Sequence, residues 1–560
     1  MTLRRTRFDG PLSLYFCSAI WGAWIAYDSA GAGRCFAFIC GGLALYCLLA
    51  LMPSHVAWRG ADIPLLRIFI GVTPAVIAAY FILTHDWAQP VEKLRWLDPV
   101  RERLGALQPR LPWPRLHPNV AGGLLAMLLP LQVAALLPRR RTGDARLPAG
   151  LLRLHNLLLF GMSCAGLLLS GLRGAWLALA VAAAIALWWW VTGKLIVGRG
   201  AWVGLGVRVG GVAAAVSLLA GTAAGWPGLA LRPDRVQVWL NSWDLTRDYA
   251  FTGAGLGSFS MAYSSYVLLL HVPHTAHAHN LALDIWLAQG LAGLLAFAWL
   301  LLSALGPLAF TAPGYAASRP GHAPRWRAAA AVSLLVIIVH GLIDDIYYGH
   351  GGIGVMALFV PFALLARPSG GASPGAAAWS RRGVAIASAG TAAAVLLALV
   401  AASPRAVRAQ FEANLGALSQ TSAELSVYRW PQWPLQDALR RSDEVNLDAA
   451  VRHYRAALAI DPGNVTANRR MGQIELSRGN YDDARRHLVA AYRGAPGQRA
   501  TRQLLGESLA VTGDVAGAAE LWRTVPLDED QLETRRFWYD SMNDTLRAQW
   551  VGAAIALARK

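Results

Sequence analysis

What most constrains this chain is a succession of apolar runs, each about long enough to cross a bilayer, separated by short basic clusters. A ~30 Å hydrocarbon core at 1.5 Å per helical residue asks for roughly 20 residues per span. About eleven runs approach that length, near 11–27, 35–52, 64–84, 119–137, 149–170, 174–191, 203–224, 280–310, 328–348, 351–366 and 384–402. Backbone in lipid must satisfy its own hydrogen bonds, so the runs predict an all-α, polytopic membrane helical bundle over residues 1–402. The excess of 51 Lys+Arg over 33 Asp+Glu, a net charge of +18, falls in the connections between runs and forms no single stripe. It therefore reads as a topology signal, with membrane lipids and no nucleic acid as partners. All five cysteines, Cys17, Cys35, Cys40, Cys47 and Cys164, lie in or at the start of apolar runs, so cysteine chemistry is not expected. Trp188, Trp189 and Trp190 suit a lipid–water boundary.

Short cytoplasmic loops collect Lys and Arg. Arg4, Arg5 and Arg7 precede the first run, which lacks a small-residue cleavage site and reads as a retained span. With the N-terminus in the cytoplasm, Arg59, Arg139–Arg141, Lys194, Arg325 and Arg381 also fall inside. The basic connection 85–118 falls outside, and its VEKLRWLDPVRERLGAL stretch predicts an interfacial amphipathic helix. The connection 225–279 and everything beyond about 403 then fall on the outer side. Residues 403–440 read as a linker. Beyond them, self-comparison at an offset of about 34 residues aligns Asn446 with Asn480 and Asp514, Ala450 with Ala484 and Ala518, and Pro462 with Pro496. This period predicts a tetratricopeptide-like helical domain over 441–560, whose concave face suits a protein partner.

The candidate chemistry lies between RVQVW and HVPHTAHAHNLALDIW. Gly253, Gly255 and Gly257 lack the spacing and βαβ context of a dinucleotide loop and predict a tight turn. His271, His274, His277 and His279 crowd one segment without an interspersed acidic or cysteine ligand, so no metal or other cofactor is expected. An imidazole there can take a proton from a hydroxyl; His279, beside Asn280 at the mouth of the eighth span, is the first choice and His277 the second. Arg173, in the short turn between the fifth and sixth spans, and Arg235 offer two guanidinium forks for a diphosphate. His340 and Asp344 are spaced one helical turn apart in the ninth run and predict a shared face, with Asp345 and Asp284 as further carboxylates.

In order along residues 117–366, HPNVAGGLLAMLLPL, GLRGAWLAL, DRVQVW before GAGLGSF, AHAHNLALDIWLAQGLAG and HGLIDD resemble the motifs of the O-antigen ligase and O-antigen polymerase superfamily. The resemblance implies a metal-independent, inverting glycosyltransferase whose donor is a glycan on undecaprenyl diphosphate and whose acceptor is a glycan or a lipid core. It places the protein in a bacterial inner membrane with the site on the periplasmic face, and implies that Arg173 and Arg235 engage the diphosphate and that His279, or His277 in its place, serves the acceptor hydroxyl. Asp344, an intramembrane carboxylate, is read from its own position as catalytic or as one half of a structural pair with His340, and Asn280 and His340 as acceptor or structural support. The family often has Ser directly before the first arginine; here Leu172 stands there and Ser170 lies further back. A protein acceptor, as in the similar bacterial O-oligosaccharyltransferases, keeps the same chemistry. A lipid-linked sugar transporter or flippase would show two similar halves, which this chain lacks.

Overall fold

The computed structural model describes residues 6–51, 64–87, 98–109, 111–137, 149–195, 210–211, 233–267, 275–310, 323–349, 352–367, 403–428, 435–525 and 529–560. The predicted spans 203–224 and 384–402 lie outside these residues except for 210–211, as do His271 and His274. Among the described residues the fold is all helical. Within those residues five helices are long and apolar enough to cross a membrane: Ser29–Ala50, Leu66–Thr84, Pro118–Leu136, Arg173–Thr192 and Leu281–Gly306. Shorter apolar helices, Arg153–Leu169 and Val355–Ala366, fall where further spans are expected. The helices share one core in which Tyr15, Leu125, Leu131, Ala178, Ile285, Leu300, Ile337 and Phe359 are buried. Outward side chains such as Ile68, Phe69, Leu157, Leu187 and Trp190 are exposed and apolar, as lipid-facing positions require. Of the stretch predicted as an interfacial amphipathic helix, Asp98–Leu107 is helical, and the part before Asp98 lies outside the described residues.

Two boundaries differ from expectation. The run 328–348 is not one helix: Ala323–Gly341 is helical, and 342–349 then leaves the helix as an irregular segment. Hydropathy is blind to this ending because Leu342, Ile343 and Ile346 are as apolar as the helix before them. The segment lies close to the neighbouring Pro118–Leu136 helix, where a side chain on Gly123 would meet Ile346 Cδ1 at 2.5 Å. The run 351–366 breaks into Val355–Leu358 and Val360–Ala366.

A second break shapes the Leu281–Phe310 helix. Gly290 adopts φ 70°, which interrupts the helical ladder. The turn 250–257 fills the gap: Ala254 N–H donates to Leu287 O (2.6 Å) and Leu291 N–H donates to Ala250 O (3.0 Å). Gly253, Gly255 and Gly257 all have positive φ, and a Cβ on Gly255 would strike Ala26 at 2.6 Å, so the predicted tight turn is required by close backbone approach.

The C-terminal region stacks helix pairs. Inner helices Val465–Arg478, Arg499–Val511 and Glu529–Ser541 alternate with Asp448–Ile460, Tyr481–Gly494, Val515–Arg523 and Thr545–Ala558. Asn464, Asp514 and Asp544 cap helix starts, and Gly479 with φ 88° ends Val465–Arg478. The first two of these inner helices each carry a glycine under a bulky side chain of the following outer helix: Gly472 under Leu488 and Gly506 under Trp522. Gly416 lies under Tyr454 in the same way. The expected linker 403–440 is therefore corrected: its helix Pro404–Leu425 is the inner helix of the first repeat, packed on Asp448–Ile460. The period hides it because the glycine and its partner are 16 residues apart in the later repeats and 38 apart here.

Candidate functional site

Three local devices aim the side chains. Asp284 Oδ1 accepts from Ala278 N–H (2.8 Å), and Asn280 Oδ1 accepts from Ala282 and Leu283 N–H, capping the Leu281–Phe310 helix. Between them His279 is held at φ 52°, a left-handed conformation uncommon outside glycine. Trp239 Nε1–H donates to the His279 carbonyl (3.1 Å), tying this loop to the helix Pro233–Asp248. His277 and His279 consequently emerge on one side, ring centroids 4.2 Å apart.

Both rings meet Asp344. Its Oδ1 lies 2.8 Å from His279 Nδ1 and 3.2 Å from His277 Nε2, and it accepts from Asp345 N–H at 3.0 Å. Its Oδ2 accepts from Asn119 Nδ2 (3.2 Å) and lies 3.7 Å from Arg235 Nη2. Arg235 Nη1 also donates to Ile343 O (2.9 Å), so the guanidinium is fixed against the same irregular segment. Asp344 is 1% exposed, whereas the His279 and Arg235 side chains retain 24% and 29%. A buried carboxylate is tolerated only when it is paired and hydrogen-bonded, and here imidazole, amide, backbone N–H and guanidinium groups surround it. The half-open residues are the two that can reach a ligand. His277, His279 and Asp344 also offer ligand atoms all within 4.8 Å of one another, a spacing compatible with a metal ion.

Arg173 is exposed and opens the helix Arg173–Leu195. The next residue, Gly174, packs beside the cluster: a Cβ there would lie 3.8 Å from His340 Nε2 and from Ile343 Cγ2. The predicted His340–Asp344 partnership is corrected. The helix stops at Gly341, which takes Asp344 off its face; Asp344 N–H donates to His340 O (2.8 Å), and among the described residues neither ring nitrogen of the buried His340 has a hydrogen-bond partner. Asn280 acts as a helix cap. Asp345 accepts from Tyr347 and Tyr348 N–H and shapes the segment that presents Asp344.

Asn119 joins the cluster although sequence reasoning gave it no role. Its signal was the HPN motif: His117 caps the Pro118–Leu136 helix through Nδ1, and the residue two positions later is thereby aimed at Asp344.

The repeat domain reaches this region through the far end of the Arg235 helix. Asp248, fully buried, pairs with Arg469 and with Arg470 (Nη2 2.7 Å). Burial raises the Asp248 carboxyl, and the two guanidiniums more than offset this, holding it below the usual carboxylate range. Tyr249 hydroxyl meets Thr421 Oγ1 at 2.5 Å, and Asn414 Nδ2 donates to Arg247 O at 2.8 Å. Inside the solenoid the short helix Gln436–Arg441 lies against the inner helices: Asp437 pairs with Arg535 (2.7 Å) and accepts from Ser477 Oγ (2.8 Å), while Arg440 pairs with Glu424 (2.7 Å). The chain's own helix thus occupies inner surface expected to receive a partner.

Residues 157–298 match the family model for the O-antigen ligase, and residues 443–491 match a tetratricopeptide-repeat model. The first match spans Arg173, Arg235, His277, His279 and Asn280 and ends before His340 and Asp344. No curated protein matches the chain.

Proposed function

Because this multi-pass membrane protein carries an O-antigen ligase domain followed by tetratricopeptide repeats, we propose that it transfers a glycan from a polyprenyl diphosphate, in bacteria undecaprenyl diphosphate, to a hydroxyl of a glycan or lipid-core acceptor on the periplasmic face. The observation that supports this is the convergence of Arg235, His279 and the buried Asp344 at one half-open point.

The chemistry follows from the geometry. A carboxylate on His279 Nδ1 keeps that nitrogen protonated and leaves Nε2 with its lone pair facing outward. Nε2 takes the proton as the acceptor oxygen bonds to the anomeric carbon, and the bond from that carbon to the diphosphate oxygen breaks. Attack opposite the leaving group inverts the anomeric centre. The departing diphosphate carries the developing charge, which Arg235 neutralises in place. Arg173 adds a second guanidinium at a helix N-terminus, where the dipole also favours an anion. Asp344 holds both His279 and Arg235, so base and anion clamp keep a fixed separation. No step in this route needs a metal.

Arg235→Ala and His279→Ala are expected to abolish transfer while leaving the protein in the membrane at normal levels. Full activity in both would overturn the mechanism. Transfer that persists after chelator treatment supports the metal-free route, and loss that zinc restores would reassign the His277–His279–Asp344 trio. The glycan profile after deletion separates the acceptors. Single repeat units on the acceptor indicate lost polymerisation, long chains left on the carrier indicate lost ligation, and disappearance of glycan from periplasmic proteins indicates a protein acceptor.

A further inference from the structure

The Arg235 helix has a second working face. At 100° per residue, Gln237, Asn241 and Asp244 point away from Arg235 and Trp239. They line a cleft of about 580 Å³ between this helix and the repeat domain, whose opposite wall includes Arg499 and Arg502. That volume falls in the roughly 300–1,000 Å³ range of ligand-binding clefts. The geometry points to a subsite that holds the distal part of an oligosaccharide chain while its reacting end is at His279, a reading that rests on the transferase function proposed above.

The lining carries the argument. Trp243 is 53% exposed at the cleft, and its edge-to-face contact with Trp286, centroids 5.7 Å apart, fixes the ring. Beside it Gln237 Nε2 donates to Asn241 Oδ1 (2.9 Å) and Asn241 Nδ2 donates to Tyr263 hydroxyl (3.1 Å), so the amides are held in one orientation. The far wall is equally fixed: Arg499 donates to Gln531 Oε1 (2.9 Å) and Arg502 to Thr524 O (3.2 Å). An indole face flanked by rigid amides, a carboxylate and guanidiniums matches a pyranose, which has C–H faces and a rim of hydroxyls that both donate and accept. A peptide helix would need a row of apolar sockets, whereas here Leu240, Pro496 and Val525 are interspersed with amides and charged groups. Trp243 lies eight residues beyond Arg235, about 12 Å along the helix axis, so a chain of several sugars can rest here with its end at the cluster.

The test uses the full-length protein in cells that make the glycan. A photo-crosslinking residue at Leu240, which is exposed at the cleft, is expected to yield a sugar-bearing adduct. Trp243→Ala is expected to weaken retention of the chain about three- to tenfold, the range that one aromatic contact supplies. The readout is shorter chains at an unchanged rate of first transfer, with Trp243→Phe restoring length. Adducts carrying only peptide or lipid, or an unchanged length distribution with no sugar adduct, would overturn the subsite. If Trp243→Ala lowers protein levels, the crosslink in the otherwise native chain still decides. Absence of any transfer by the unaltered protein would instead sink the transferase reading itself.

Discussion

The membrane bundle and the repeat domain bury charge in opposite ways. Across the bundle's apolar helices polar side chains are sparse, and several from distant elements converge on Asp344, leaving His279 and Arg235 half-open. The repeat domain buries many charges, among them Glu424, Asp437, Arg440, Glu507 and Arg535, and they satisfy one another: Arg535 bridges Asp437 and Glu507 at 2.7 Å each, with Tyr539 hydroxyl donating to Glu507 at 2.7 Å. A buried charge therefore marks chemistry where an open side remains and marks packing specificity where the network closes on itself.

The largest effect that can break this comparison comes from Asp344→Asn. It keeps the shape but removes the charge that orients His279, so transfer should fall by about 10²–10⁴-fold, the contribution of a positioned acid–base group, while thermal stability in detergent changes little. Equal loss of folding would place Asp344 with the structural networks. Asp437→Ala makes the reverse prediction: it takes from the buried Arg535 one of its two carboxylates and leaves Glu507 as the other. The loss is at most that of a broken buried pair, about 3–5 kcal/mol, read as earlier unfolding of the repeats with the chemistry surviving until they melt.

An intermediate effect is expected at the seam. The native Asp248 carboxyl is depressed below its unfolded value of about 3.9. Its stabilisation is therefore fully present above that unfolded value and is lost as pH falls through the native one. Hydrogen exchange at residues 247–251 should accelerate below about pH 4, and Asp248→Asn should show that exchange at neutral pH. Exchange that stays slow in the variant would mean that the apolar contacts alone hold the seam. The smallest effect tests the first repeat. Gly416→Ala should destabilise by about 1–3 kcal/mol through overpacking against Tyr454, and Gly472→Ala should do the same against Leu488. A silent Gly416→Ala would return Pro404–Leu425 to the status of a connector.

These contrasts also explain what was legible in the chain. Apolar runs, the repeat period and the crowded histidines are local signals, and they led to the bundle, the solenoid, His277 and His279. Asn119 left only a capping motif, because its partner Asp344 lies 225 residues away and no spacing rule links them. The end of the ninth helix was invisible for a different reason, since burial in protein and burial in lipid select the same side chains. In the first repeat, extra residues between Gly416 and Tyr454 erased a period that the packing itself preserves.

The break at Gly290 carries a consequence for how such a chain can diverge. Surface turns ordinarily tolerate insertions and deletions. The segment 250–257 does not have that freedom, because Ala250 and Ala254 complete the hydrogen-bond ladder of the Leu281–Phe310 helix. Adding or removing one residue there would slip both bonds and rotate the Arg235 helix away from Asp344, so the length of this turn should be inherited more strictly than its composition.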